Sequence, residues 1–160
     1  PRSCSAPEHN RGGLLVSDTR MTEAERMAFL ADLHVGVLSI PRAERAPLTA
    51  PIWYAYEPGG DIVVVIGRSS LKGRLAEVGL QVTLVAQREE MPYAYVSVEG
   101  RIAAIEPGDV DRDIRPLAYR YLGEDVGEQY TASTEGRDEL RVAIRPERWL
   151  TVDYAKSIPG

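Results

Sequence analysis

The sequence predicts a mainly β protein: an antiparallel sheet of six or seven strands with accessory helices, most simply closed into a small barrel. Three observations predict it. Apolar runs of strand length recur, as in "HVGVLSIP", "DIVVVIG" and "LQVTLVAQ". The connections between them are mostly short and carry turn residues, as in "PGGD". A single helical stretch falls between the third and fourth strands.

Taken in order, residues 1–20 are rich in Pro, Ser, Gly and Arg without periodicity and read as a flexible tail. "MTEAERMAFLADL" reads as a helix with Thr22 as N-cap, Glu25 closing a capping box, and Met27, Phe29, Leu30 and Leu33 on its apolar face. "HVGVLSIP" is the first strand, ended by Pro41, and "RAERAP" a polar connection. "LTAPIWYAYE" is the second strand, where Pro51 marks an edge or a bulge. With "PGGD" as the turn, residues 48–57 and 61–67 form a hairpin. Residues 70–78 read as a helix and "LQVTLVAQ" as the next strand. "YAYVSVEGRIAAIE" is a long strand with a bend or bulge at Gly100. A helix follows, capped by Asp109 and disturbed at Pro116, then a weaker helix over "EDVGEQYTAST". "ELRVAIRPERWLTVDY" closes the chain as two short strands hinged at Pro146.

Composition narrows the function. The chain has 160 residues, enough for one domain with its own core, and is 44% hydrophobic. A net charge of -5 argues against a general nucleic-acid binder, which needs a basic face. The one cysteine, Cys4, excludes an internal disulfide and a cysteine-based zinc site, and no metal site is expected. No apolar stretch reaches the length of a membrane span, and the first residues lack the apolar core of a signal peptide. A cytoplasmic domain with no membrane partner is the expectation.

Against that acidic background, "GRSSLKGRL" concentrates Arg68, Lys72 and Arg74 around Ser69 and Ser70, where a strand meets a helix. Serine hydroxyls, a helix start and paired cations suit a phosphate. The same residues equally make an ordinary N-cap and a solvated cationic face. Trp53, Tyr54 and Tyr56 lie on the strand expected to pair with the one feeding this cluster. An aromatic strand beside an anion site suits a cofactor with a flat ring at one end and a phosphate at the other. Trp53 as a plain core residue is the competing reading.

The ordered set "HVGVLSI", "PLTAPIWYAY", "DIVVVIGRSSLKGRLAE", "LQVTLVAQ" and "YAYVSVEGRIAAIE" resembles the pyridoxamine 5'-phosphate oxidase-like split β-barrel proteins, and within them the flavin/deazaflavin oxidoreductase branch. The resemblance implies a split-barrel cofactor-binding domain over residues 21–156. It implies a homodimer with cofactor sites at the interface, and FMN or coenzyme F420 as cofactor. It implies that Thr49, Ala50, Pro51, Ile52, Trp53 and Tyr54 run along the ring and ribityl chain, with Val65 and Ile66 touching the chain from the paired strand. Ser70 and Lys72 would hold the phosphate, with Ser69 beside them and Arg74 extending the pattern. Arg68 and Arg74 could also meet the longer acidic tail of F420, or be surface charges. Tyr95 would contact the ring, and Trp149 could come from the second subunit. The Arg-x-His element that engages substrate in true pyridoxamine phosphate oxidases is missing: the corresponding region reads "RPERWLTVDY". The expected function is therefore hydride transfer between the cofactor and a small planar organic substrate other than the vitamin B6 phosphate. The alternative is a flavin, F420 or haem carrier without turnover, for which His34 is the haem-ligand candidate. A redox-sensing interaction module is a third reading, for which no partner-binding motif is found.

Overall fold

A computed structural model describes residues 18–157. The expected tail falls mostly outside the described residues, and so do Cys4 and His9. Helix α1 (Glu23–Ala31) starts as expected: the Thr22 hydroxyl accepts from the Glu25 N–H and the Glu25 carboxylate accepts from the Thr22 N–H. Leu30 is fully buried, with Met27 and Phe29 packed beside it. Leu33 is 52% exposed, because the helix stops at Ala31 and the residue leaves the helical face.

The strands are β1 (Gly36–Arg42), β2 (Arg45–Ile52), β3 (Tyr54–Ala55), β4 (Ile62–Gly67), β5 (Gln81–Arg88), β6 (Ala94–Pro107) and β7 (Glu139–Asp153). They form one antiparallel sheet in the order β2-β1-β5-β6-β7-β4-β3. The two edge strands, β2 and β3, are consecutive in sequence and separated only by Trp53, so the ends of the sheet meet there and the sheet curls into a split barrel. Alternate residues point inward, as the two-residue strand period requires. Ile62, Val64, Ile66, Val96, Val98 and Ile144 are among those that fill the barrel. Each such side chain contributes about 1.5–3 kcal/mol by leaving water.

Several boundaries differ from the sequence reading. The polar connection expected over residues 42–47 narrows to Ala43 and Glu44, because β1 runs to Arg42 and pairs it with Arg45 at the start of β2. Pro41 does not end β1: it sits at a register shift between Ile40 and Arg42, where β5 no longer pairs and no N–H is needed on that side. The expected hairpin partner of β4 shrinks to Tyr54–Ala55, because the chain breaks at Trp53 and its first half pairs with β1 instead. The closing segment is one 15-residue strand, not two, and bends at Pro146, where the pairs step from Glu99↔Arg148 to Gly100↔Pro146. Gly100 does lie at a bulge. A Cβ there would sit 2.5 Å from the Arg145 carbonyl oxygen, so only glycine lets the two strands approach.

Between β4 and β5 lies α2 (Leu71–Leu75), shorter than expected. Between β6 and β7 stands an arm of helices. It begins with a π-helical turn, Val110–Ile114, capped by Asp109, and continues without a break as α3 (Arg115–Leu122), with Pro116, which offers no N–H, just past the junction where the π turn gives way to α-helix. Helix α4 (Glu124–Ser133) folds back on α3. A Cβ on Gly127 would lie 2.7 Å from the Tyr119 ring, so glycine permits that contact. No helix among the described residues is long and apolar enough to cross a membrane.

Candidate functional site

A cleft of about 340 Å³ opens on the outer side of the barrel, between the Trp53 break, the β4–α2 turn and the helical arm. Five of the residues nominated from the sequence line it: Pro51, Ile52, Trp53, Val65 and Lys72. The rest of the lining is Val35, Ile114, Leu117, Tyr130, Thr134 and Glu139.

The β4–α2 turn is built locally. The Ser70 N–H donates to the Gly67 carbonyl at 3.0 Å, and the Ser70 hydroxyl caps α2 by accepting from the Gly73 N–H at 3.0 Å. A Cβ on Gly73 would meet the Gly67 carbonyl oxygen at 2.3 Å and that of Arg68 at 2.6 Å. Glycine at 73 is thus what lets α2 close against the strand end and turn Lys72 toward the cleft. The cations of this stretch part ways. Arg68 pairs with Asp138 at 2.8 Å, and its N–H donates to the Asp138 carbonyl at 2.9 Å. Arg74 donates to the Ser69 carbonyl. Lys72 reaches the cleft and has no ion-pair partner among the described residues. Glu139, opposite Gly67 in the β4–β7 register, is the acid on the same lining.

The other wall comes from the arm. Trp53 stacks on Tyr121 with ring centres 5.1 Å apart and planes 6° from parallel, and meets Tyr130 at 5.2 Å and 56°. The Thr134 hydroxyl is buried and donates to the Thr131 carbonyl at 2.7 Å. Asp113 anchors the arm's root. Its side chain, 3% exposed, pairs with Arg112 at 2.8 Å and with Arg141 of β7 at 3.2 Å, and accepts from the Asp109 N–H at 2.9 Å. Burial works against its charge, but the Arg112 and Asp109 hydrogen bonds and the Arg141 charge outweigh it and hold the carboxyl below the ordinary range.

The remaining nominated residues lie elsewhere. Tyr54 is fully buried inside the barrel, donating its hydroxyl to the Leu30 carbonyl at 2.8 Å, and burial pushes its phenol pKa well up. Ile66 faces the core. Thr49 bonds Ser39 at 3.0 Å on the outer face of β2, and Ala50 lies half-buried beside it. Ser69 is exposed in the turn. Tyr95 lines a separate depression with Gln87, Arg88 and Tyr93. Trp149 packs edge-on to Tyr56 at 6.3 Å under the Arg26 guanidinium, 5.0 Å from its ring centre. His34 stacks on Phe29 at 4.4 Å, and burial pushes its imidazole below the usual range against the pull of Asp32.

No family model matches the chain, and no curated protein matches it. Solved structures do. A conserved hypothetical protein from Mycobacterium tuberculosis superposes with TM-score 0.69 at 21% identity, over 90% of this chain and 92% of its own. An F420 reductase superposes with TM-score 0.61 at 21% identity, over 77% and 94%. A candidate pyridoxamine 5'-phosphate oxidase from Listeria innocua superposes with TM-score 0.56 at 16% identity, over 81% and 96%. At these identities the likeness establishes architecture alone: a seven-stranded antiparallel sheet curled into a split β-barrel, shared with these structures.

Proposed function

We propose that the cleft holds a flavin-type cofactor, FMN or F420, and that the protein is an oxidoreductase acting on a small planar organic substrate. One observation carries this reading: a single cleft joins aromatic rings, Trp53 and Tyr130, to a cation free of ion pairs among the described residues, Lys72. A flat ring and a phosphate on one ligand match those two ends, and the volume lies in the range of small-molecule sites. The F420 reductase among the structural relatives supports the same class.

When bound, the cofactor would supply hydride transfer. The chain's own residues do the rest. Lys72 would neutralise the phosphate, with the Ser70 hydroxyl proton available as a donor because only its oxygen is used in capping. Trp53, Tyr130, Leu117 and Ile114 would exclude water from one side of the ring. Glu139 would accept hydrogen bonds from hydroxyl groups between ring and phosphate.

The cofactor site is proposed to lie at a homodimer interface. Strand register lines up Pro51, Val37, Val85, Ser97 and Leu150 in one row across the outside of β2, β1, β5, β6 and β7. These side chains are small or apolar, and Leu150 is 61% exposed. Apolar rows on an outer sheet face favour a partner. Pro51 belongs both to this row and to the cleft lining, so a second copy seated on the row would border the cleft.

Parallel fluorescence titrations of the cofactor-free protein with FMN and with F420 test the reading. Micromolar binding of either supports it, and binding of neither removes it. Turnover of the reduced cofactor with quinone acceptors separates an oxidoreductase from a carrier.

A further inference from the structure

The break at Trp53 has a visible cause. The β1–β2 register runs through Gly36↔Ile52, so two residues further along each strand His34 stands opposite Tyr54. In an unbroken ladder these two backbones would bond each other. The Tyr121 hydroxyl sits between them instead. It donates to the His34 carbonyl at 2.7 Å and accepts from the Tyr54 N–H at 3.1 Å, and it also lies 3.1 Å from the Tyr54 carbonyl oxygen. One side chain from α3 therefore replaces a ladder bond and satisfies the backbone groups left at the break. The same residue presents its ring, almost parallel, to Trp53. Arg120, next to it, donates to the Ala31 and Asp32 carbonyls at 2.8 and 2.7 Å and fixes α3 against the end of α1.

We propose that Tyr121 is a positioning residue: it wedges the strand open and sets the plane of Trp53, and so sets the slot that receives a ligand's flat ring. Its bearing on ligand binding rests on the flavin-type reading of the cleft, whereas its control of Trp53 does not. Tyr121 acts through Trp53 at the ring end, while Lys72 acts on the phosphate end.

The test uses Tyr121→Phe, which keeps the ring and loses the wedge, and Tyr121→Leu, which loses both. Binding of riboflavin and of FMN is measured for each in the full chain. Tyr121→Leu is expected to weaken both by about tenfold while leaving the FMN-to-riboflavin affinity ratio unchanged, since one stacking contact is worth about that factor. Tyr121→Phe should give a smaller loss in the same pattern. In a Trp53→Ala background the Tyr121 substitutions should have no further effect on ring binding. A changed FMN-to-riboflavin ratio, or an undiminished Tyr121 effect without Trp53, would overturn the proposal. Near-UV circular dichroism of the ligand-free protein supplies a readout that survives failure of the flavin reading. The band that Trp53→Phe removes should shift in Tyr121→Phe, and a spectrum superimposable on wild type would sink the wedge. If wild type binds none of riboflavin, FMN and F420, the flavin-type reading falls, and if it binds F420 alone the cofactor is F420; in both cases this optical result still decides the role of Tyr121.

Discussion

The β4–α2 turn and the helical arm are opposite walls of one cleft, and they are held by different physics. The turn is closed mainly by its own residues. Bonds run from Ser70 to Gly67, from Gly73 to Ser70 and from Arg74 to Ser69, with Arg68 tied further off to Asp138; Arg68 and Arg74 are exposed and Lys72 is half-buried. The arm is held across the chain, by Asp113 to Arg141, Arg120 to Ala31 and Tyr121 to His34. A change in the turn should therefore alter what the cleft binds with little effect on folding, unless it strikes the backbone packing at Gly73. A change at the arm's roots should move a whole wall.

The largest effect is expected at Asp113. Asp113→Ala leaves Arg141 and Arg112 without their buried partner and the Asp109 N–H without its acceptor, and should cost about 3 kcal/mol in urea unfolding. Because the folded carboxyl titrates below its unfolded value, its stabilisation is present above the ordinary carboxylate range and is lost as pH falls through the folded value. Tyr and Trp fluorescence followed on acidification should show that loss in wild type, and Asp113→Asn should remove this part of the pH dependence. Equal acid sensitivity in both would detach the arm from this carboxylate.

Gly73→Ala comes next and tests the exception within the turn. The added methyl meets two backbone carbonyl oxygens, which cannot move aside as a side-chain tip can. Overpacking of this kind costs about 2 kcal/mol. A thermal melt unchanged from wild type would show that α2 is not held by this contact.

The two walls also differ in how far sequence reveals them. In the turn, structure follows from neighbours: a strand ending at Gly67, a serine cap and a glycine within a few residues, so the strand-to-helix junction and Lys72 were both legible. The Thr22–Glu25 box and the Gly100 bulge were legible for the same reason. Arg68 shows where that reasoning stops. Its partner, Asp138, is 70 residues away, so the sequence could show a cation but not its ion pair. The arm lay beyond local signals. "AYRYLG" shows a tyrosine-rich helix but not that Tyr121 reaches a strand break 67 residues earlier, and nothing local marked Tyr130, Thr134 or Glu139 as cleft residues. The break itself was hidden because "LTAPIWYAYE" signals an irregularity at Pro51 but none at Trp53, where a side chain from α3 ends the ladder.

The smallest effects are expected within the turn itself. Lys72→Ala should weaken binding of a phosphate-bearing flavin by about 1.5 kcal/mol, the loss of one charge-assisted hydrogen bond. It should leave the melting temperature unmoved, because Lys72 enters no ion pair among the described residues. Riboflavin binding should not change, since that ligand offers Lys72 no anion. Arg68→Ala should do still less to FMN binding, because the guanidinium is turned to Asp138. Its cost to stability should stay below about 1 kcal/mol, as for other exposed ion pairs. The pair of variants, titrated side by side with FMN and riboflavin, separates cation from cation within five residues of sequence. If Arg68→Ala lowers FMN affinity as much as Lys72→Ala, the Arg68–Asp138 pair opens on binding and the whole cationic stretch, not Lys72 alone, is the phosphate site.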